Sequence, residues 1–154
     1  MNVSKPSVRI RTARHADLDA LVELENRSFD TDRVSRTQYR RHLDSATGIV
    51  LIADTGEKIA GSALVFLRSH SSRARLYSIA IAHDCRGMGV GAALLLACEK
   101  AARDGGRQTL YLEVRGDNTA AIKLYESRGY RRGPTLHRFY EDGADARRYE
   151  KAIG

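Results

Sequence analysis

The feature that most constrains this chain of 154 residues is the stretch 79–92, IAIAHDCRGMGVGA, followed by LLLACEKAAR at 94–103. An apolar run gives way to a short polar passage and then to a glycine-dense turn. A helical pattern begins at once after the glycines. Glycine backbone turns tightly and lets a ligand come close. The N–H groups of such a turn converge where the helix N-terminus adds its positive dipole end. The stretch therefore demands a strand, a turn and a helix in that order, and it offers a seat for phosphate. Arg86, Gly87, Met88, Gly89, Val90, Gly91 and Ala92 are the residues of that seat. No Lys-Ser/Thr pair follows, so it is not a Walker A loop. It does match G-x-G-x-x-G/A, but it lies mid-chain after a hairpin, and four residues separate the strand from the first glycine. Both features count against a dinucleotide fold. A plain flexible loop is the bland alternative, and alternate glycines before a strong helical run speak against it.

The rest of the chain supplies a scaffold. Residues 8–12 (VRIRT) alternate as a first strand. Leu18, Leu21, Val22, Glu25 and Phe29 share one helical face, with Glu25 the odd member. A carboxylate there needs a partner, such as an arginine, or a job as a base or ammonium ligand. Ser35 and Gln38 fit a capping box, with Val34 and Tyr39 as a hydrophobic staple, so a short helix runs over 36–44. Residues 48–53 and 58–67 read as a hairpin about the turn 54–57, 68–75 as a polar loop, and 76–82 as the strand entering the glycine turn.

After the glycines, Val90, Leu94, Ala97, Cys98 and Ala101 share a face, and Gly105-Gly106 ends that helix. In 109–114 (TLYLEV), Leu110, Leu112 and Val114 face one way and Glu113 the other. Asp117 or Asn118 caps a helix carrying Ala121, Leu124 and Tyr125. Residues 130–135 and 146–153 are the last strands. The expected fold is α/β in the α+β sense: one domain, 1–154, with a mixed central sheet of about seven strands flanked by about four helices.

Composition narrows the function classes. No apolar run reaches a membrane span, and MNVSKPSVRIR lacks the apolar core of a signal peptide. Cys85 and Cys98 show neither CxxC nor metal spacing, and the five histidines show no metal spacing either. A reduced, cytoplasmic protein without a metal is expected. The net charge of +7 reads as an anionic partner or as an arginine-biased solvated surface.

Two motifs carry a family resemblance. Residues 86–91, RGMGVG, resemble the R/Q-x-x-G-x-G/A motif of the GNAT superfamily of N-acetyltransferases. Residues 118–130, NTAAIKLYESRGY, resemble that superfamily's N-x-x-A-x-x-L-Y-x-x-x-G-F/Y stretch, with LEVR at 112–115 before it. The element order is also similar, so the resemblance spans essentially the whole chain. Within the superfamily the chain looks most like the ribosomal-protein-alanine and protein N-terminal acetyltransferases. Their Y-Y-x-D-G-x-D-A tail is matched by FYEDGADA at 139–146, with Phe139 for the first tyrosine. Residues 30–33 lack the Pro-Trp of many ribosomal-type members. Both departures lie where such enzymes hold their acceptor.

The resemblance implies acetyl-CoA as co-substrate and direct acetyl transfer to a primary amine, either a peptide or protein N-terminus or a small amine. It implies that the glycine turn holds pyrophosphate and that the backbone of Ile79 and Ile81, with Asn118, holds the pantetheine arm. Glu113 would deprotonate the amine, or else pair with an arginine. Tyr125 would protonate the thiolate, since a phenol near pKa 10 suits a thiol of about 8.5. Tyr125 also fits simple packing. Tyr140 would line the acceptor channel with Phe29 and Glu25. Cys85 is a candidate thiolate or a bystander. A non-catalytic acyl-CoA-binding or nucleic-acid-binding module ranks below these readings.

Overall fold

The computed structural model describes residues 7–154; the first residues of the N-terminal stretch discussed above, 1–6, lie outside the described residues. The elements follow in the order β1 (Arg9–Thr12), α1 (Leu18–Ser28), α2 (Arg36–Leu43), β2 (Gly48–Asp54), β3 (Ile59–Leu67), β4 (Arg73–Ile81), α3 (Val90–Asp104), β5 (Thr109–Arg115), α4 (Thr119–Ser127), β6 (Arg131–Leu136) and β7 (Ala146–Ala152). All seven strands form one mixed sheet in the order β1-β2-β3-β4-β5-β7-β6. Only β4 and β5 pair in parallel, joined by the α3 crossover.

Local chemistry accounts for the helices. Ser35 Oγ accepts from the Gln38 N–H at 3.1 Å, and Gln38 Oε1 accepts from the Ser35 N–H at 2.8 Å, so the expected capping box starts α2. Val34 and Tyr39 are both buried in the cluster beneath α1 and α2. Asn118 Oδ1 accepts from the Ala121 N–H at 3.2 Å and caps α4. Arg33 donates to the carbonyls of Phe29 and Asn26, placing a cation at the C-terminus of α1.

Two apolar clusters hold the layers. One sits under α3 against β3, β4 and β5 and includes Leu76, Val90, Leu94, Cys98, Leu110, Leu112 and Tyr125. The other joins α1 and α2 to the opposite face through Leu21, Tyr39, Ile52 and Leu64. Each fully buried leucine contributes roughly 1.5–3 kcal/mol. Gly61 on β3 allows the close approach of α3. A Cβ there would meet the Ala80 carbonyl at 2.8 Å and Val90 at 3.1 Å.

Three expectations change. Residues 68–75 are not all loop, because β4 begins at Arg73; Arg73 and Arg75 alternate with buried Ala74 and Leu76 on a strand whose other face is polar. Phe29 is not on the buried stripe of α1. It is the extended C-cap residue of that helix, half-buried at the rim of a cleft. Glu25 is buried without an arginine in contact, as set out below.

The feature that shapes the site is the separation of β4 from β5. Their pairing runs from Arg73–Thr109 to Leu76–Leu112 and stops there. At the same level β4 bulges. Val65 pairs with Leu76 and Leu64 with Ser78, so Tyr77 is the extra residue. Beyond Leu76 the strands diverge. The β4 edge then has no strand beside it on the β5 side, and the ends of both strands open onto a cleft.

Candidate active site

The cleft has a volume of about 700 Å³ and lies between the diverging strands, the loop after α1 and the loop between β6 and β7. It brings together Glu25, Phe29, Ile79, Glu113, Asn118, Tyr125 and Tyr140 from the residues singled out in the sequence. Its walls carry six carboxylates (Glu25, Asp30, Asp32, Glu113, Asp117 and Asp142) against two guanidiniums, Arg75 and Arg115. A chain with an excess of positive charge thus presents a negative cavity, which suits a cationic amine.

Glu113 and Glu25 are the most buried of these charges. The Glu113 side chain is 5% exposed; Oε1 forms an ion pair with Arg75 at 3.1 Å and accepts from Arg148 at 3.3 Å. Oε2 is buried and has no partner among the described residues. Cross-strand register explains the arrangement, since Glu113 on β5 faces Arg148 on β7. Both alternatives read for Glu113 are compatible here. One oxygen is held by arginines and the other is left free.

Tyr125 on α4 is 5% exposed and packs edge-on to Tyr130 with centroids 5.8 Å apart; its ring also lies 6.4 Å from that of Tyr149. The Tyr130 and Tyr149 hydroxyls donate to Glu99 and Glu126 at 2.9 and 3.1 Å. The Tyr125 hydroxyl makes no such bond among the described residues, and the residue lines the cleft. Burial raises its pKa well above that of a free phenol, so it stays protonated and able to donate.

Glu25 accepts from the Val34 N–H and the Tyr39 hydroxyl, both at 2.9 Å. Burial raises its carboxyl above the ordinary range. Its bonds tie α1 to the start of α2 while the residue lines the cleft. Tyr140 is half-buried under the Arg115 guanidinium, 4.5 Å from its ring centre, and burial pushes its pKa up to about 12.

The glycine turn lies outside this cleft, at the N-terminus of α3. Gly87 and Gly89 both have φ of +78°, a left-handed conformation that favours glycine, and a Cβ at either would meet nothing within 4 Å. The first α3 bond to the turn is Ala93 N–H to the Gly89 carbonyl at 3.1 Å. The N–H groups of Val90, Gly91 and Ala92 precede it and have no backbone acceptor of this kind among the described residues. Arg86 is exposed beside them, and Met88 packs on the core. Gly91 has a different task, since its Cβ would lie 3.3 Å from Leu124 and crowd α4. Ile79 and Ile81 turn their side chains onto the α3 cluster. Open space, free donors and a cation fit a pyrophosphate, and the unpaired β4 edge fits an extended amide-bearing arm.

Cys85 is 4% exposed, and burial pushes its thiol up, so it is no stabilised thiolate. Among the described residues no group of three or more His, Cys, Asp and Glu is placed to hold a metal ion. No helix among them is long and apolar enough to cross a membrane. The sequence reading did not single out Arg75 and Arg148, and it marked Asp32 only as part of the acceptor loop 30–33. The alternation of Arg73, Arg75 and Tyr77 is the available signal for Arg75; nothing local marks Arg148.

A model of the acetyltransferase (GNAT) family matches residues 17–130. An N-alpha-acetyltransferase of Sulfurisphaera tokodaii is 30% identical over 149 residues, covering 90% of this chain and 89% of its own. The N-alpha-acetyltransferase RimI of Mycobacterium tuberculosis is 31% identical over 150 residues, covering 95% and 93%. The crystal structure of the ribosomal-protein-S18-alanine N-acetyltransferase of Escherichia coli superposes with a TM-score of 0.84 at 28% identity, over 96% of this chain and 95% of that one. With the diverging strands, the glycine turn and the cleft between them, these likenesses establish that the chain belongs to the GNAT acetyltransferase family and is an acyltransferase.

Proposed function

We propose that the chain acts as a single cytoplasmic domain that moves the acetyl group of acetyl-CoA onto the α-amine of a protein N-terminus. Transfer is direct, within a complex that holds both substrates. The observation that carries this reading is Glu113, a carboxylate at the floor of an acidic cleft with one oxygen fixed and the other free. The relatives named as N-alpha-acetyltransferases support the choice of acceptor.

Acetyl-CoA supplies an activated acyl thioester. Arg86, Gly87, Met88, Gly89, Val90, Gly91 and Ala92 would hold its pyrophosphate. The β4 edge at Ile79 and Ile81 would pair with the pantetheine arm, with Asn118 across from it. Glu25, Phe29 and Tyr140 would line the path of the acceptor. Glu113 takes a proton from the incoming ammonium at its free oxygen, directly or through one water. The amine then bonds to the acyl carbon as the carbon–sulfur bond breaks, Tyr125 gives its proton to the departing sulfur, and the second proton shed by the nitrogen returns through water to the Tyr125 oxygen, leaving a neutral amide and CoA thiol.

A thiol-release assay over N-terminal peptides, with polyamines and amino acids beside them, tests the acceptor. A small amine turned over better than every peptide would overturn the assignment. Glu113→Gln should lower turnover by about 10²-fold or more, the usual scale for a general base. Acetyl-CoA affinity measured by calorimetry should hold within about twofold, because no contact of Glu113 lies in the glycine turn. Equal turnover in variant and wild type would remove Glu113 as the base.

A further inference from the structure

We propose that Arg115 is the positioning residue that joins the two loops over the cleft and so sets how tightly a peptide acceptor is held. The inference rests on reading the cleft as the seat of the acceptor. One loop follows α1 and contains Thr31 and Asp32. The other lies between β6 and β7 and contains Tyr140, Glu141 and Asp142. More than a hundred residues of chain separate them.

Arg115 reaches both. One guanidinium nitrogen donates to Thr31 Oγ1 at 2.8 Å, and another meets Asp142 Oδ2 at 2.9 Å. The plane of the group lies over the Tyr140 ring. The loops also hold each other directly. The Glu141 N–H donates to Asp32 Oδ2 at 3.2 Å, and the Asp32 N–H donates to Glu141 Oε2 at a long 3.5 Å. A planar fork can serve a hydroxyl, a carboxylate and a ring face at once, whereas an ammonium is a single point of charge.

Arg115 stands on β5 two residues beyond Glu113, so both project to one face of the strand. The clamp therefore fixes both loops in register with the carboxylate that receives the ammonium proton. A peptide, which extends out of the cleft past the loops, depends on that register along its length. A small amine that needs only the cleft floor does not. Loss of the clamp should cost peptide binding first and erode the preference for peptides over small amines.

The test compares wild type with Arg115→Lys, Thr31→Ala and Asp142→Asn. Steady-state kinetics would use an N-terminal peptide and a polyamine, and hydrogen exchange would follow residues 29–34 and 138–145. In Arg115→Lys the peptide KM should rise about tenfold with kcat changed by less than about threefold. The polyamine constants and acetyl-CoA affinity should hold within about twofold. Exchange in both loops should quicken together by roughly fivefold or more. Thr31→Ala and Asp142→Asn should reproduce part of each effect.

An unchanged peptide KM overturns the proposal. So does a fall in kcat alone, or loosening of one loop without the other. Should wild type acetylate no amine, the reading of the function fails, while the exchange experiment still judges the clamp. Joint loosening would uphold Arg115 as the link between the loops, and unaltered exchange would refute it.

Discussion

Three tyrosines meet behind the cleft, and the same one-atom deletion should act on them in opposite ways. Tyr125→Phe removes a hydroxyl that has no hydrogen-bond partner among the described residues, while the ring keeps its packing on Tyr130 and Tyr149. No buried group loses a partner, so the stability change should stay within about 1 kcal/mol. If that hydroxyl protonates the leaving sulfur, kcat should fall by about 10²–10⁴, or roughly 2.7–5.4 kcal/mol of barrier. Tyr130→Phe instead takes a donor from Glu99, a 4%-exposed carboxylate whose other partner is Lys151 at 3.1 Å. Tyr149→Phe takes a donor from Glu126. These two should cost about 1–3 kcal/mol of stability each, with kcat changed by less than about threefold. Denaturant titration and thiol release on the three purified variants measure both quantities. Tyr125→Phe with wild-type kcat would refute the acid assignment. A loss of kcat in Tyr130→Phe as large as in Tyr125→Phe would show that the packing of the cluster, not one hydroxyl, is being measured.

The two kinds of glycine in the turn should separate as well. Gly89→Ala places a side chain at φ +78°, costing about 1–2 kcal/mol, and puts a methyl in the open space before α3; acetyl-CoA affinity measured by calorimetry should fall. Gly91→Val drives a branched side chain into Leu124 and should also lower the melting temperature, by the roughly 1–3 kcal/mol typical of overpacking. At Glu25, burial raises the folded carboxyl above its ordinary 4.5, so the folded chain keeps a proton that the unfolded chain releases. That group therefore makes stability decline as pH rises from about 4.5 through the raised value, by at most about 1.4 kcal/mol per pH unit, and level off above it. Glu25→Gln should remove this decline, and denaturation midpoints across pH 4–8 that keep the wild-type slope would refute the assignment.

The residues that were legible are those whose signal is local. The capping box at Ser35 and Gln38, the alternation that turns Glu113 away from Leu112, and the glycines before Val90 each act within a few positions of themselves. What escaped was set by segments far apart in the chain. Glu25 looked like a carboxylate in want of an arginine. It found a backbone N–H and a phenol because the chain after α1 folds back over it. Residues 73–75 looked like loop because their polarity hid a strand. That polarity is satisfied across the sheet, where Arg73 lies 4.5 Å from the centre of the Tyr111 ring and Arg75 meets Glu113. The bulge at Tyr77 has no signature of its own, although it marks the level at which β4 leaves β5.

On the proposed function, that departure explains how motifs distant in sequence would serve one reaction. Two parallel strands that stop pairing leave one free edge and one free end. The free edge on β4 runs directly into the turn that opens α3, so the donors for an anionic, extended ligand lie along one line. The free end of β5 carries Glu113 and Arg115, and the helix after it returns Tyr125 to the same opening. Charge divides along the same boundary. Arg86 and helix N–H groups without a backbone acceptor among the described residues stand on the side of the turn, and six carboxyl groups against two guanidiniums stand on the side of the cleft. On the proposed function, a polyanionic thioester and a cationic amine would be drawn to different halves of the opening, each half being unfavourable to the other's ligand. Both substrates would then be held at once, as the proposed direct transfer requires. The parallel crossover would supply the meeting point, and the sorting of charge about it would determine which substrate approaches from which side.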